Sequence, residues 1–185
     1  MSKRVCPWWL GYLLASPLRR LLQDPEEIVR PYVREGMSVL DIGCGMGFFS
    51  LHLAKLVGET GKVFCVDLQE KMIKGLSRRA LKAGLSDRIE GRICHQDSLG
   101  VSDIDGKIDF ALAFALVHEV PDKVRLFAEI YNTMKKTGEL LVAEPRGHVS
   151  ELDFEKTVSI AQSAGFEVLR DLKIQRSRAV LLATR

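Results

Sequence analysis

Residues 39–47 have the sequence V-L-D-I-G-C-G-M-G, an apolar segment that leads through an acid into three alternating glycines. A short apolar run is typical of a strand that is buried on both faces of a sheet. Glycine lacks a Cβ atom, so the chain can turn sharply and a ligand can approach its backbone. Because residues 48–57 have a helical pattern, we expect a strand, a glycine turn and a helix, as in many nucleotide-type cofactor sites.

The glycine spacing differs from that of the usual dinucleotide-binding turn. That turn has the pattern G-x-G-x-x-G and binds a pyrophosphate, whereas residues 43–47 have the pattern G-x-G-x-G. Asp41 precedes the first glycine by two residues, where a carboxylate would repel a pyrophosphate but suit a cationic or amine-bearing ligand. The sequence therefore disfavours NAD, although another nucleotide or sugar site, or a helix-capping role for Asp41, stays open.

At these residues the chain resembles the class I methyltransferases, whose first motif is V-L-D-I-G-C-G-x-G and whose cofactor is S-adenosylmethionine. This cofactor carries a sulfonium, an ammonium and ribose hydroxyls but no phosphate, which accounts for an acid beside the glycines. The resemblance assigns Asp41, Gly43, Cys44 and Gly45 to the cofactor site. It also makes S-adenosyl-L-homocysteine the product.

A second match is found at residues 61–67, G-K-V-F-C-V-D, which we predict to form a strand that ends at Asp67. Asp67 lies 20 residues beyond Gly47, the distance at which a ribose-binding acid is expected. By resemblance, Asp67 binds the ribose hydroxyls and Leu68 lies against the adenine. A helical pattern follows over residues 72–83.

The third and fourth matches complete the expected cofactor site. A strand and loop are predicted over residues 88–97, and an apolar strand over residues 108–114. The resemblance implies that Asp97 accepts a hydrogen bond from the adenine amino group and that Ser98 contributes its backbone amide. It also implies that the backbone near Phe114 meets the methionine end of the cofactor.

The remaining pattern predicts the rest of an α/β sheet. We expect a fifth strand over residues 137–144, a helix over 152–164 that ends at Gly165, and strands over 166–174 and 178–184. The resemblance implies a doubly wound, seven-stranded, mostly parallel sheet with an antiparallel last strand and helices on both faces. We predict one structural unit, with residues 1–36 as a helical extension and residues 37–185 as the Rossmann-like methyltransferase domain.

The N-terminal extension contains Trp8, Trp9 and Tyr12, followed by an amphipathic stretch from Leu18 to Val33. Aromatic faces attract a sulfonium through cation–π interaction, so these aromatic residues are predicted to form a lid over the methyl donor. The alternative is a helix packed on the sheet with ordinary core aromatics.

His118 is the candidate catalytic base or substrate contact, because it follows the fourth strand near the expected methyl group. A base is needed only where the acceptor atom loses a proton, as in a phenol or enol. The alternative role for His118 is capping of the next short helix. Four further polar residues are expected on loops at the same end of the sheet or on the surface: Glu119, Glu144, Arg146 and His148.

The acceptor is expected to be a small molecule, and the tryptophans favour an apolar or aromatic one. No N-P-P-Y type tetrapeptide follows the fourth strand, and V-H-E-V-P-D at residues 117–122 resembles methylases of quinones and sterols. No nucleic-acid partner is expected, and O, N, C and S all stay open as the acceptor atom. The competing functions are a catalytically silent cofactor-binding or regulatory protein and a nicotinamide-dependent oxidoreductase.

Composition favours one enzyme domain in a reducing compartment. The chain has 185 residues, is 46% hydrophobic and carries a net charge of +3. Its four cysteines lack metal-ligand spacing, so we expect reduced thiols, no metal site and a cytoplasmic location. The apolar run after Lys3 and Arg4 imitates a signal peptide, but it is shorter than the roughly 20 residues of a membrane span and lacks an A-x-A cleavage site.

Overall fold

The computed structural model describes residues 23–184 of the chain. The N-terminal half, up to residue 94, alternates helices and strands. Its elements are α1 (Pro25–Val29), β1 (Ser38–Ile42), α2 (Ser50–Leu56), β2 (Lys62–Asp67), α3 (Glu70–Lys82), a 3-10 turn (Ser86–Arg88) and β3 (Ile89–Ile93).

Parallel pairing brings the glycine turn to the same end of the sheet as Asp67. Strand β1 pairs with β2 from Ser38 opposite Lys62 to Ile42 opposite Val66. Strand β2 pairs in turn with β3, where Asp67 lies opposite Ile93. The glycines follow Ile42 directly, so they begin where β2 ends.

The C-terminal half, residues 95–184, has its own alternation. After a 3-10 turn (Ser102–Ile104) come β4 (Ile108–Phe114), a 3-10 turn (Val117–Glu119), α4 (Lys123–Thr133), β5 (Met134–Pro145), α5 (Glu151–Ser163), β6 (Phe166–Leu172) and β7 (Ser177–Thr184). Strand β4 pairs with β5 in parallel. Strand β7 pairs with both β5 and β6 in antiparallel fashion.

The seven strands have the order β3-β2-β1-β4-β5-β7-β6. Only β7 among them runs against its neighbours. The predicted fold class, a seven-stranded mostly parallel sheet with an antiparallel last strand, is therefore confirmed. The division of the chain at residues 36 and 37 stays a prediction.

Strand β5 begins earlier than the sequence predicted. It starts at Met134, which pairs with Ile108, and the register then shifts so that Glu139 pairs with Phe110. Residues 135–138 thus form an irregularity at the strand start, and of these residues the predicted strand included only 137 and 138. The helix predicted to end at Gly165 ends as expected, with a glycine φ of 113°.

The amphipathic stretch from Leu18 to Val33 lies only partly within the described residues. There, α1 covers Pro25–Val29 and is capped by Asp24, whose side chain accepts from the Glu26 amide at 2.9 Å. Pro31 follows two residues later and has no N–H group with which to continue a helix. The helical pattern is therefore interrupted, although Val33 is still buried.

Cys44, Cys65 and Cys94 are free thiols in the described part of the chain, and Cys6 lies outside it. Within residues 23–184 no helix is both long and apolar enough to cross a membrane. The same residues contain no cluster of three or more His, Cys, Asp or Glu side chains arranged to hold a metal ion.

Candidate functional site

The three glycines after β1 adopt the left-handed backbone conformation that the turn requires. Gly43, Gly45 and Gly47 have φ values of 70°, 54° and 83°. The amides of Gly43 and Cys44 both donate to the Val66 carbonyl, at 2.9 and 3.1 Å. These bonds fasten the glycine turn to the end of β2.

The glycines at positions 45 and 47 serve different needs. A Cβ atom on Gly47 would lie 2.5 Å from Cδ1 of the buried Leu76, so this glycine lets α3 pack closely. A Cβ atom on Gly45 would meet no heavy atom of the described chain within 4 Å. Among residues 23–184, the space beside the Gly45 backbone is therefore open, as the approach of a ligand requires.

The Asp67 carboxylate lies against this turn. Its Oδ2 accepts from the Gly45 amide and its Oδ1 from the Gln69 amide, both at 2.9 Å. Burial raises the pKa of Asp67, while the two amides oppose that rise. The structure thus brings together Gly45 and Asp67, two residues that the sequence assigned to one cofactor site. Leu68, which follows Asp67, is half-buried.

Asp41 is more deeply buried than a residue at a strand end need be. Its side chain is 3% exposed and accepts from Ser50 Oγ at 2.5 Å, in the first turn of α2. Burial raises the pKa of Asp41 to about 7, with the charge of Asp67 acting in the same direction and the Ser50 bond against it. The Asp41–Ser50 hydrogen bond thus connects the two ends of the glycine turn. The contact of Asp41 with a cationic ligand stays a prediction.

The Cys44 thiol has no features of a nucleophile. Its side chain is buried, and this burial raises the pKa of the thiol well above its ordinary value. The neighbouring Cys65 is a second, smaller cause that acts in the same direction. A thiolate is the reactive form of cysteine. Any contact of Cys44 with the cofactor would therefore be made through its backbone.

In the C-terminal half, Asp97 is exposed at the tip of a short turn. The turn is closed by His95, whose amide donates to the Ser98 carbonyl at 2.9 Å. The Ser98 amide donates back to the His95 carbonyl at 3.4 Å, a long bond, and its hydroxyl donates to Glu129 at 3.3 Å. The Ser98 amide, which is predicted to meet the adenine, therefore already makes a long hydrogen bond within the turn.

Strand β4 ends in a local distortion next to the predicted methionine-binding backbone. Phe114 is buried at 9% exposure, and Ala115 after it has a φ of 56°, which is unusual for a residue other than glycine. The Ala115 amide donates to the Ala143 carbonyl at 2.7 Å. The chain thus leaves β4 in a turn that leads directly into the 3-10 turn bearing His118.

His118 is held by a buried carboxylate. Its Nδ1 lies 2.5 Å from Oε2 of Glu144, which is 1% exposed. The other oxygen of Glu144 accepts from the amides of Leu116 and Val117, at 3.1 and 2.8 Å. His118 itself keeps 18% side-chain exposure, so the predicted base is fixed in place yet partly accessible.

Glu144 does not lie on a loop or on the surface, but within the fifth strand that the sequence predicted over residues 137–144. It belongs to β5, in the otherwise apolar run L-L-V-A-E-P. The signal was present in the sequence, because a charged residue in a buried strand needs a specific partner. What the sequence could not supply was the partner, which lies 26 residues earlier.

The other polar residues of this region are arranged around His118 to differing degrees. Oε1 of Glu119 lies 4.0 Å from His118 Nε2, and the ring of His148 packs edge-on at 5.7 Å between centroids. Arg146 is exposed and donates instead to the Ser177 carbonyl at 3.1 Å. Trp8, Trp9 and Tyr12 lie outside the described residues, so their role as a lid stays a prediction.

Comparison with known proteins agrees with this geometry. A family model described as a methyltransferase domain matches residues 33–176. The curated ubiquinone/menaquinone biosynthesis C-methyltransferase UbiE of Escherichia coli is 33% identical over 113 residues, which are 60% of this chain. The match covers 44% of UbiE, so this chain spans less than half of that relative.

Solved structures extend the similarity to nearly the whole chain. A SAM-dependent methyltransferase from Aquifex aeolicus has a TM-score of 0.87 at 25% identity, covering 98% of this chain and 100% of its own. A protein from Methanococcus maripaludis shares the fold, with a TM-score of 0.78 at 16% identity over 100% of this chain and 97% of its own. The family match over most of the sequence decides the assignment: the chain belongs to the class I methyltransferases, whose cofactor is S-adenosylmethionine.

Proposed function

We propose that this protein transfers a methyl group from S-adenosylmethionine to a small-molecule acceptor. The observation that carries the proposal is the contact between Asp67 and the Gly45 amide, beside the open space over Gly45. A carboxylate beside a half-buried glycine backbone suits a ligand that has ribose hydroxyls and a cationic end but no phosphate. The residues of the turn therefore fit the cofactor of the family.

Each half of the chain contributes its own part of the proposal. In the N-terminal half, Asp67 would bind the ribose hydroxyls, with Leu68 against the adenine. In the C-terminal half, Asp97 and Ser98 would contact the adenine and the backbone at Phe114 the methionine end, on the strength of the family resemblance. When bound, S-adenosylmethionine supplies an electrophilic methyl group on a sulfonium.

The acceptor is proposed to be an apolar or aromatic metabolite. The printed name of the UbiE relative describes a C-methyltransferase of quinone biosynthesis, and the segment after β4 resembles small-molecule methylases. Transfer to either a ring carbon or a hydroxyl oxygen replaces a hydrogen, so a proton must leave and His118 is the proposed group that takes it. A cytoplasmic location is part of the same proposal.

Calorimetric titration tests the cofactor. We expect S-adenosylmethionine and S-adenosylhomocysteine to bind the wild type, and Asp67→Asn to weaken both by about tenfold or more, because a hydrogen bond to a charged group contributes about 1.5–3 kcal/mol. Asp87→Asn, at an exposed aspartate of the same half, is the matched control and should bind as the wild type does. Binding of NADH in place of the sulfur ligands would overturn the proposal.

Transfer is then measured with methyl-labelled cofactor and a series of hydroquinones and phenols with and without alkyl side chains. Label in an acceptor, with one S-adenosylhomocysteine formed per methyl group, is the expected result. Tight cofactor binding without transfer to any extracted metabolite pool would instead indicate a silent cofactor-binding protein.

A further inference from the structure

Glu144 is buried, and three of the roughly four hydrogen-bond acceptor sites of its carboxylate are used by neighbouring groups. It is 1% exposed, its Oε1 accepts from two backbone amides and its Oε2 faces His118 Nδ1 at 2.5 Å. A buried carboxylate is retained at such a cost only where donors compensate its charge. Two backbone amides and an imidazole nitrogen around one buried carboxylate form an ordered arrangement.

With the Glu144 carboxylate ionised, its contact with the ring indicates which nitrogen of His118 carries the proton. An ionised carboxylate only accepts hydrogen bonds, so the contact at Oε2 requires the proton to lie on Nδ1. A neutral imidazole carries one proton, and its lone pair is then on Nε2. Nε2 lies on the side of the ring near Glu119, whose Oε1 is 4.0 Å away.

The backbone just before His118 also contacts Glu144. Ala115, with a φ of 56°, turns the chain so that the next two amides, of Leu116 and Val117, both point at Oε1 of Glu144. A left-handed residue other than glycine costs about 1–2 kcal/mol, which these bonds help to offset. The 3-10 turn and the ring are thus positioned by the same carboxylate.

We propose that Glu144 is a positioning residue that fixes His118 with Nε2 as the proton acceptor, and that the methyl acceptor accordingly carries a hydroxyl or an acidic C–H at the attacking atom. This inference rests on the proposed function. In the step, the S–CH3 bond breaks and its electron pair stays on sulfur, a new O–CH3 or C–CH3 bond forms, and the proton of the acceptor moves to Nε2. Glu144 then stabilises the resulting imidazolium.

Nuclear magnetic resonance of the ¹⁵N-labelled full chain tests the tautomer without any acceptor. The protein has four histidines, and the signal that is lost in His118→Gln assigns His118. At a pH where the ring is neutral, we expect the wild type to carry its proton on Nδ1. A wild-type proton on Nε2 would overturn the proposal, and this measurement needs no Glu144 variant.

Glu144→Gln sharpens the test because its amide oxygen can still accept from the two backbone amides, while its NH2 group can only donate to Nδ1. We expect the His118 proton to move to Nε2 in this variant and to stay on Nδ1 in the control Glu119→Gln. Binding of S-adenosylhomocysteine should change less than about twofold in both variants. If the wild type did not bind S-adenosylhomocysteine, the proposed function would be refuted. If the His118 tautomer were unchanged in Glu144→Gln, only this inference would be refuted.

Turnover tests the acceptor class with three probes that differ only in the attacking atom: a phenol, an aniline and a thiophenol with the same ring substituents. With the phenol we expect kcat to fall about 100-fold or more in Glu144→Gln, as for the loss of a general base, while KM for S-adenosylmethionine stays within about twofold. Equal phenol kcat in Glu144→Gln and wild type, or transfer to the aniline or thiophenol alone, would contradict the proposal.

Discussion

Oδ2 of Asp67 lies 2.9 Å from the amide nitrogen of Gly45, 22 residues earlier in the chain. This bond joins the end of β2 to the middle of the glycine turn and adds to the two bonds that the Val66 carbonyl accepts from the start of the turn. The turn is therefore held in shape by hydrogen bonds within the chain itself. A preformed site of this kind loses less conformational freedom on binding than a mobile loop would.

Alanine substitutions at Gly45 and Gly47 should show that Gly45 matters mainly for ligand affinity and Gly47 mainly for stability. Gly45→Ala places a methyl group in the open space of the proposed cofactor site, so we expect S-adenosylhomocysteine affinity to fall about tenfold or more, with a stability loss of about 1–2 kcal/mol from the left-handed φ. The measurements are calorimetry and urea denaturation of each purified variant.

Gly47→Ala is the counterpart. Its new methyl group would lie 2.5 Å from Leu76 Cδ1 in the core, so the strain of the φ angle adds to an overpacking cost of about 1–3 kcal/mol. We expect this variant to be the less stable of the two. If Gly45→Ala were instead the more destabilised and bound ligand normally, the space over Gly45 would have no part in binding.

Stability should fall with rising pH because of Asp41. An unfolded aspartate loses its proton near pH 3.9, as model peptides do, whereas the folded Asp41 keeps its proton up to about pH 7. Between these values the native state binds more protons than the unfolded state, so the free energy of unfolding falls as pH rises. At about 1.4 kcal/mol per pKa unit, the upper bound of this loss is about 4 kcal/mol.

Urea denaturation at several pH values from about 4 to 7.5 measures this effect, with Asp41→Asn as the comparison. The asparagine does not titrate and can still accept from Ser50, so its stability should decline less with pH than that of the wild type. Asp87→Asn controls for the loss of one negative charge in the same half. Parallel curves for wild type and Asp41→Asn would show that Asp41 does not titrate in this range.

The local parts of this structure were predictable because they depend on neighbours in sequence. The apolar runs of β1 and β4, the glycine turn and the acid at position 67 follow from residue type and spacing alone. The start of β5 could not be predicted in this way, because its irregularity depends on pairing with Ile108 and Phe110. Likewise, the burial of Asp41 against Ser50 depends on how α2 packs after the turn.

Glu144 shows the same limit at the site itself. Its charge within an apolar strand indicates that it has a partner, but the partners are in the segment after β4. Periodicity places each segment in an element and carries no information on which elements become neighbours. Only the parallel pairing of β4 with β5 brings Glu144 beside His118.

Alkylation should distinguish the three described cysteines. Burial raises the pKa of the Cys44 thiol, and Cys65 is also buried, whereas Cys94 is half-buried. Because iodoacetamide reacts with the thiolate, we expect Cys94 of the native protein to be labelled well before the other two at about pH 8. Peptide mass spectrometry over a time course measures the order, and equal labelling of Cys44 and Cys94 would contradict the burial of the turn.

Removing the Glu144 carboxylate should show how much of the structure after β4 depends on it. Glu144→Ala leaves the amides of Leu116 and Val117 without the acceptor that each has in the native protein, and each unsatisfied buried donor costs about 1–3 kcal/mol. We expect a loss of about 2–5 kcal/mol for Glu144→Ala and a smaller one for Glu144→Gln, whose oxygen can still accept from both amides. Urea denaturation gives the two values. Equal losses would mean that the charge and its bond to His118, not the two amides, account for the stability that Glu144 contributes.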